Sequence, residues 1–175
     1  MIGDSFEFRG INFREQFGIR VVKTDVLMPR KRKRKTNIPR RHGSFDHGAE
    51  NWEDRIIEIE CDLLRKLTRD ETREIAYLLS EKGRLILWDE PDKYYIGEIY
   101  DSPEILDFQK QIFRNFTLVF ECEPFAYREA KSIEIKNGSN AINYDGTVAA
   151  PAKITLTNTG NTTIDNILLQ LTSRR

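Results

Sequence analysis

Both histidines of the chain fall in one short stretch, residues 42–47, HGSFDH, with an aspartate between them. Neutral imidazole and carboxylate are good zinc ligands, so His42, Asp46 and His47 could begin a metal site. Such a site needs a third or fourth ligand on rigid elements, whereas Gly43, Ser44 and Gly48 mark this stretch as a loop. A solvated loop is the preferred reading, and no metal is expected. The acid pairs Asp89–Glu90 and Asp101–Glu104 sit beside turn residues, where carboxylates commonly serve the turn itself. Cys61 and Cys122 form no CxxC and have no histidine nearby. Each continues an apolar alternation, Ile57, Ile59, Cys61 and Phe116, Leu118, Phe120, Cys122, and reads as a small core residue. No GxSxG, Walker loop, GxGxxG or HExxH occurs. The sequence therefore indicates no catalytic residue and no cofactor, and a protein that is not an enzyme is expected.

The charged counterpart is MPRKRKRKTNIPRRHG, residues 28–43, which holds Arg30, Lys31, Arg32, Lys33, Arg34, Lys35, Arg40 and Arg41 and no acid. Three chemistries suit it: phosphate contact, a nuclear address, or docking on an acidic protein surface. The chain has 28 Lys plus Arg against 28 Asp plus Glu, so setting those eight aside leaves 20 basic residues against 28 acidic. A basic strip is thus attached to an acidic body. A DNA-binding domain usually spreads positive charge over a whole face, and the only helix legible here starts acidic and carries an apolar face.

Residue period decides the elements that must carry this strip. SFEFRG, IRVVKTDV, RIIEIECDLL, RLILWD, YYIGEIYD and FTLVFECEP are short, rich in β-branched and aromatic residues, and bounded by turn formers. In IIEIECD the acids Glu58, Glu60 and Asp62 alternate with Ile57, Ile59 and Cys61, as a strand with one wet face requires. One segment breaks the period. LTRDETREIAYLLSEKG predicts a helix with Thr68 and Glu71 as a capping box, acids in the first turn, Ile75, Leu78 and Leu79 on one face, and Gly83 at C′. A hairpin should follow, turning at Glu90–Lys93. From about residue 131 the chain becomes rich in Thr, Asn and Gly, with NG, DG and TGN turn signals. Strands are expected at Ile133–Ile135, Ile154–Leu156 and Ile167–Leu171. Some 45 residues cannot enclose a sandwich core of roughly 100 residues, so these read as the beginning of a second β domain.

The expected architecture is mainly β. Residues 1–130 make a sandwich or barrel-like domain with one helix, one hairpin and an extended basic loop at 28–50, and 131–175 make a partial second domain. At 39% hydrophobic residues with ten Phe the chain can collapse around a core. No apolar run approaches the roughly 20 residues of a membrane span, and MIGDSFEFRG lacks the order of a signal peptide. A soluble protein without a membrane partner is expected.

The order of segments resembles the distal tail protein (Dit) family of siphophages over nearly the whole chain. The series runs FEFRG and FGIRVV, a long loop ending NIPRRHG, WEDRIIEIE, the capped helix with its hairpin, FTLVFECEPFAY, and the Asn/Gly-rich IKNGSNAINYDGTVAAPAKITLTN. Its densest matches are Ile38, Pro39, Arg41, Gly43, Trp52, Arg55, Ile57, Leu85, Asp89, Tyr94, Cys122 and Pro124.

That resemblance implies a virion structural protein, assembled in the bacterial cytoplasm. Its subunits would form a hexameric ring at the tail tip, stacked on the tail tube protein near the tape measure protein. It would act as hub for fibre, baseplate or tail-associated proteins and pass DNA through its lumen. A galectin-like second domain would decorate the ring, and Arg175 falls short of completing one. Where the family loop usually has Pro-Gly-Arg, this chain has Pro39-Arg40-Arg41. The basic loop is expected to act as an arm between subunits in preference to a solvated loop, with lumen contact last, because strong phosphate contacts would retard passing DNA. The alternatives are a nucleic-acid-binding module using residues 30–41 and, as a third class, a carbohydrate-active β-sandwich with convergent carboxylates.

Overall fold

The structure is a computed structural model that describes residues 4–33, 35–40, 42–46, 51–101, 115–163 and 165–172. The chain divides into two units, Met1–Lys131 and Ser132–Arg175. The first is built on a seven-stranded antiparallel sheet. In chain order its strands are β1 (Phe6–Phe8), β2 (Ile11–Asn12), β3 (Ile19–Val26), β6 (Arg55–Leu63), β7 (Gly83–Leu87), β8 (Tyr95–Asp101) and β9 (Asn115–Cys122). Helix α1 (Phe13–Phe17) follows β2, and helix α2 (Arg69–Leu79) lies between β6 and β7. Two further strands, β4 (Lys35–Asn37) and β5 (Ser44–Asp46), form a separate two-stranded ribbon.

Side-chain alternation sets the register. Ile57, Ile59 and Cys61 of β6 are fully buried while Glu58 and Glu60 are exposed. Across the β6–β9 ladder Ile57 faces Phe120 and Ile59 faces Leu118, so both strands place their apolar sets on one side. A slip of one residue would turn every one of these side chains to water. The strand order is β2-β1-β7-β8-β9-β6-β3. The sheet is open, with no ladder joining β2 to β3 among the described residues.

Two helices close the apolar side. Ile75, Leu78 and Leu79 of α2 and Phe13 and Phe17 of α1 join one cluster with Phe6, Phe8, Leu85, Leu118 and Phe120. Phe6 stacks on Phe13 at 4.4 Å between ring centres, and Phe8 lies 5.2 Å from Phe120. Burying each such side chain contributes about 1.5–3 kcal/mol before entropy is counted. Cys61 and Cys122 are free thiols inside this core, and burial pushes both up to about 12.

The mainly-β class, the six sequence-read strands and the capped helix are all present. Three details differ. Helix α2 ends at Leu79 with Ser80 as its C-cap, and Gly83 opens β7 instead of capping the helix. A Cβ at Gly83 would stand 2.3 Å from Arg9 Cγ, so close approach of the β1–β2 turn accounts for this glycine. Helix α1 has no counterpart among the elements the residue pattern predicts. Asn12 caps it, accepting from the Arg14 and Glu15 N–H groups, and Gly18 ends it at φ +70°. In the second unit, no strand forms among described residues 132–163 and 165–172, where Ile133, Ile135, Ile154, Leu156, Ile167, Leu169 and Leu171 are 41–74% exposed. The alternation is there, but within this unit no partner strand or core covers it.

Candidate functional site

The basic strip grows directly out of the sheet. Strands β3 and β6 pair from Ile19↔Leu63 to Val26↔Ile57, and the same ladder runs on past the end of both. The Leu27 N–H donates to the Ile56 carbonyl at 3.2 Å, the Glu53 N–H to the Arg30 carbonyl at 2.7 Å, and the Arg32 N–H to the Asn51 carbonyl at 2.9 Å. Lys31 bridges to Trp52 between them. These bonds make residues 27–33 and 51–54 a two-stranded arm. At ~3.3 Å per residue, residues 27–33 extend about 20 Å beyond the last β3 pair.

Trp52 anchors the root. Its ring meets Phe125 edge-on at 6.0 Å, and Lys31 Nζ lies 5.2 Å from its centre on the π face. Alongside, the Arg55 guanidinium sits 5.3 Å from the buried Tyr95 ring. Further out, β4 and β5 pair in register from Lys35↔Asp46 to Asn37↔Ser44. Their connection carries Pro39, then Arg40 at φ +67° and Gly43 at φ +80°. Arg40 therefore adopts the positive φ that a turn requires after proline when glycine is its usual occupant.

Of the sequence-marked cations, Arg30, Lys31, Arg32, Lys33, Lys35 and Arg40 are exposed, while Arg34 and Arg41 lie outside the described residues. The six exposed cations make no ion pair with another described residue. The structure thus brings Arg30–Lys33 onto one arm and sets Lys35 and Arg40 in its outer ribbon. Among the described residues no group of three or more His, Cys, Asp or Glu could hold a metal, and His47 falls outside them. No helix among them is long and apolar enough to cross a membrane.

Thr68 and Glu71 lie at the start of α2, apart from the arm. The Glu71 N–H donates to Thr68 Oγ1 at 3.2 Å and the Thr68 N–H donates to Glu71 Oε2 at 2.8 Å, the two halves of a capping box. Arg65 grips the same carboxylate with two N–H groups, at 3.1 and 2.6 Å, and also donates to the Gln16 carbonyl at 2.9 Å, which ties the end of α1 to the start of α2. The Arg65 hydrogen bond, followed by that from the Thr68 backbone, holds Glu71 down at about 2.

Residue alternation marked Glu58 and Glu60 as outward-facing but could not show what joins them. Strand register brings Glu121 opposite both Ile56 and Glu98, so Glu98 and Glu121 share the wet side of the sheet with Glu58 and Glu60. Only the long-range order β8-β9-β6 produces that juxtaposition.

The model of a family described as the phage tail protein RIFT-related domain matches residues 8–122, a span that includes every strand of the sheet except most of β1 and takes in the whole arm. The chain belongs to this family of phage tail proteins. Among solved structures it is similar to that of the SPP1 Dit (gp 19.1) protein, described as a paradigm of hub adsorption apparatus in Gram-positive infecting phages. That likeness has a TM-score of 0.53 at 17% identity and covers 71% of this chain and 51% of the other, so the chain spans about half the length of that relative. No curated protein matches it. The family match and the shared fold bear out the resemblance to siphophage distal tail proteins.

Proposed function

We propose that this phage tail protein is a hub subunit of the distal tail: six copies form a ring that joins the tail tube to tip, baseplate or fibre proteins, and DNA passes through the lumen. Tube, tape measure and tail-associated proteins are its neighbours in this reading, the virion is its location, and no catalysis is involved. The observation that carries it is the arm. An extension that continues the sheet through backbone hydrogen bonds, with exposed cations that make no ion pair with a described residue, is built to reach something outside its own fold. An adjoining subunit is the simplest acidic surface available, since the rest of the chain carries the excess of acids. Strand β3 supports the same reading: it is an edge strand among the described residues and, beyond Val21, whose N–H donates to the Asp4 carbonyl at 2.8 Å, it can pair with another chain. The second unit is assigned to a galectin-like β domain on the outside of the ring, its alternating apolar residues awaiting cover.

Light scattering and negative-stain imaging of purified protein test this directly. A closed ring of six is expected at low salt, loosening as ionic strength rises and the Debye length falls below about 10 Å. A chain that stays monomeric at tens of micromolar would overturn the proposal. The second reading, a nucleic-acid-binding module, is favoured by the six exposed arm cations, which make no ion pair with a described residue. It expects retention of any duplex with a steep salt slope set by the phosphates neutralised.

A further inference from the structure

Ion pairs within the first unit sort the charges of the sheet's wet side. Asp62 is paired with Arg20 at 3.0 Å, Asp25 with Lys23, Glu123 with Lys82 at 2.7 Å, and Glu129 with Arg84 at 2.7 Å. Between these pairs Glu58, Glu60, Glu98 and Glu121 make no ion pair with a described residue. Glu98 and Glu121 stand directly opposite in the β8–β9 ladder, a like-charge arrangement that costs stability in an isolated subunit. Half-buried Ile56 and Val119 lie on the same side, opposite Glu121 and Glu58. Lys23 stands opposite Glu60 in the β3–β6 ladder but bonds Asp25, so this sheet face has an apolar floor and, among the described residues, an excess of carboxylates over cations.

We propose that this face, centred on Glu58, Glu60, Glu98 and Glu121, receives the basic arm of a second copy of the chain. The inference rests on the assembly reading above and supplies the surface to which the arm binds. Charge complementarity selects the occupant: the exposed arm cations match the four carboxylates in sign and in layout, and neither set makes an ion pair among the described residues. Alternate residues of an extended strand are spaced by roughly 6.6–6.8 Å, so Arg30 and Arg32, or Lys31 and Lys33, repeat at the interval that separates Glu58 from Glu60. The aliphatic stems of Lys and Arg can cover Ile56 and Val119 while their heads reach the carboxylates. A subunit's own arm is poorly placed for the role, because the ladder carries it past the Val26–Ile57 end, away from Glu58 and Glu60.

Two charge-reversed proteins test the pairing. One changes Arg30, Arg32, Lys33 and Lys35 to Glu; the other changes Glu58, Glu60, Glu98 and Glu121 to Lys. Sedimentation velocity at low salt should show each associating at least about tenfold more weakly than wild type, with unchanged circular dichroism. Mixed in equal amounts they should associate again, since each acidic arm then meets a basic face and each basic arm an acidic one. A third protein, with the four glutamates changed to Gln, guards against misfolding of the Lys set: its association should lose salt dependence. Failure of wild type to associate at all would sink the assembly reading itself. A wild type that associates, beside face variants that do so equally well with the same salt dependence, would overturn only the acceptor face. Loss of duplex retention without loss of assembly in the arm variant would also overturn it, assigning the strip to nucleic acid.

Discussion

Arg40 holds a backbone conformation that its side chain disfavours. A non-glycine residue at φ +67° costs on the order of 1–2 kcal/mol, and the turn between β4 and β5 places it there directly after Pro39. Arg40→Gly should therefore steady the ribbon. Slower hydrogen exchange at the Lys35–Asn37 and Ser44–Asp46 amides is expected, by roughly fivefold for about 1 kcal/mol; exchange that is unchanged or faster would show that the turn bears no strain. Much at this scale was legible in the sequence. The parity of Cys61 and Cys122 placed both in the core, and Thr68 with Glu71 announced a cap. Gly83 was misread because a glycine after a helix can serve as a cap or make room for a neighbour. Only the fold shows that Arg9 occupies the space a side chain would need.

At the scale of elements, α2 is the clearest case of local sequence agreeing with structure. Removing its cap acceptor, Thr68→Ala, should lower stability by about 1 kcal/mol, measured by chemical denaturation. The proposed self-association should survive, since the cap acts within one chain. Glu71 adds a pH signature. Its carboxyl titrates near 2 when folded against an ordinary value of 4.5, so its contribution is complete above about 4.5 and lost as pH falls toward 2. The gap in melting temperature between wild type and Glu71→Gln should accordingly narrow on acidification across that window. A gap that stays constant would show that the Arg65 and Thr68 bonds do not stabilise the charged form. Helix α1 escaped notice because five residues are too few to display a helical period. Its capping signals, Asn12 and Gly18, were present and could have found it.

Across the whole molecule the charges divide between a basic arm and an acidic sheet face, and only the first half of that division could be read from the sequence. A run of like charges is local and visible, whereas the wet face gathers residues from β6, β8 and β9 through long-range register. The described residues 132–163 and 165–172 pose the opposite problem: the strand pattern is legible, but a strand needs a partner to form. Their exposed backbone and side chains should make them the first segment cut in limited proteolysis of the dissociated chain, with cleavage between residues 132 and 172 before any within β6 or β9. A resistant tail alongside a nicked sheet would reverse that order.

Because the arm continues β3 and β6 and is not hung from a loop, it also has a mechanical character. Tension applied to the outer end of the arm runs lengthwise down its two strands and loads the hydrogen bonds of the β6–β9 ladder in shear, where a load across a strand would open them one at a time. In the proposed assembly the arm would thus act as a tether as well as a contact, holding one copy to the next under load. Single-molecule pulling from the outer end of the arm against a handle on β9 should give a higher rupture force than pulling β3 sideways from the sheet edge, and equal forces would mean that the arm is hinged at its root.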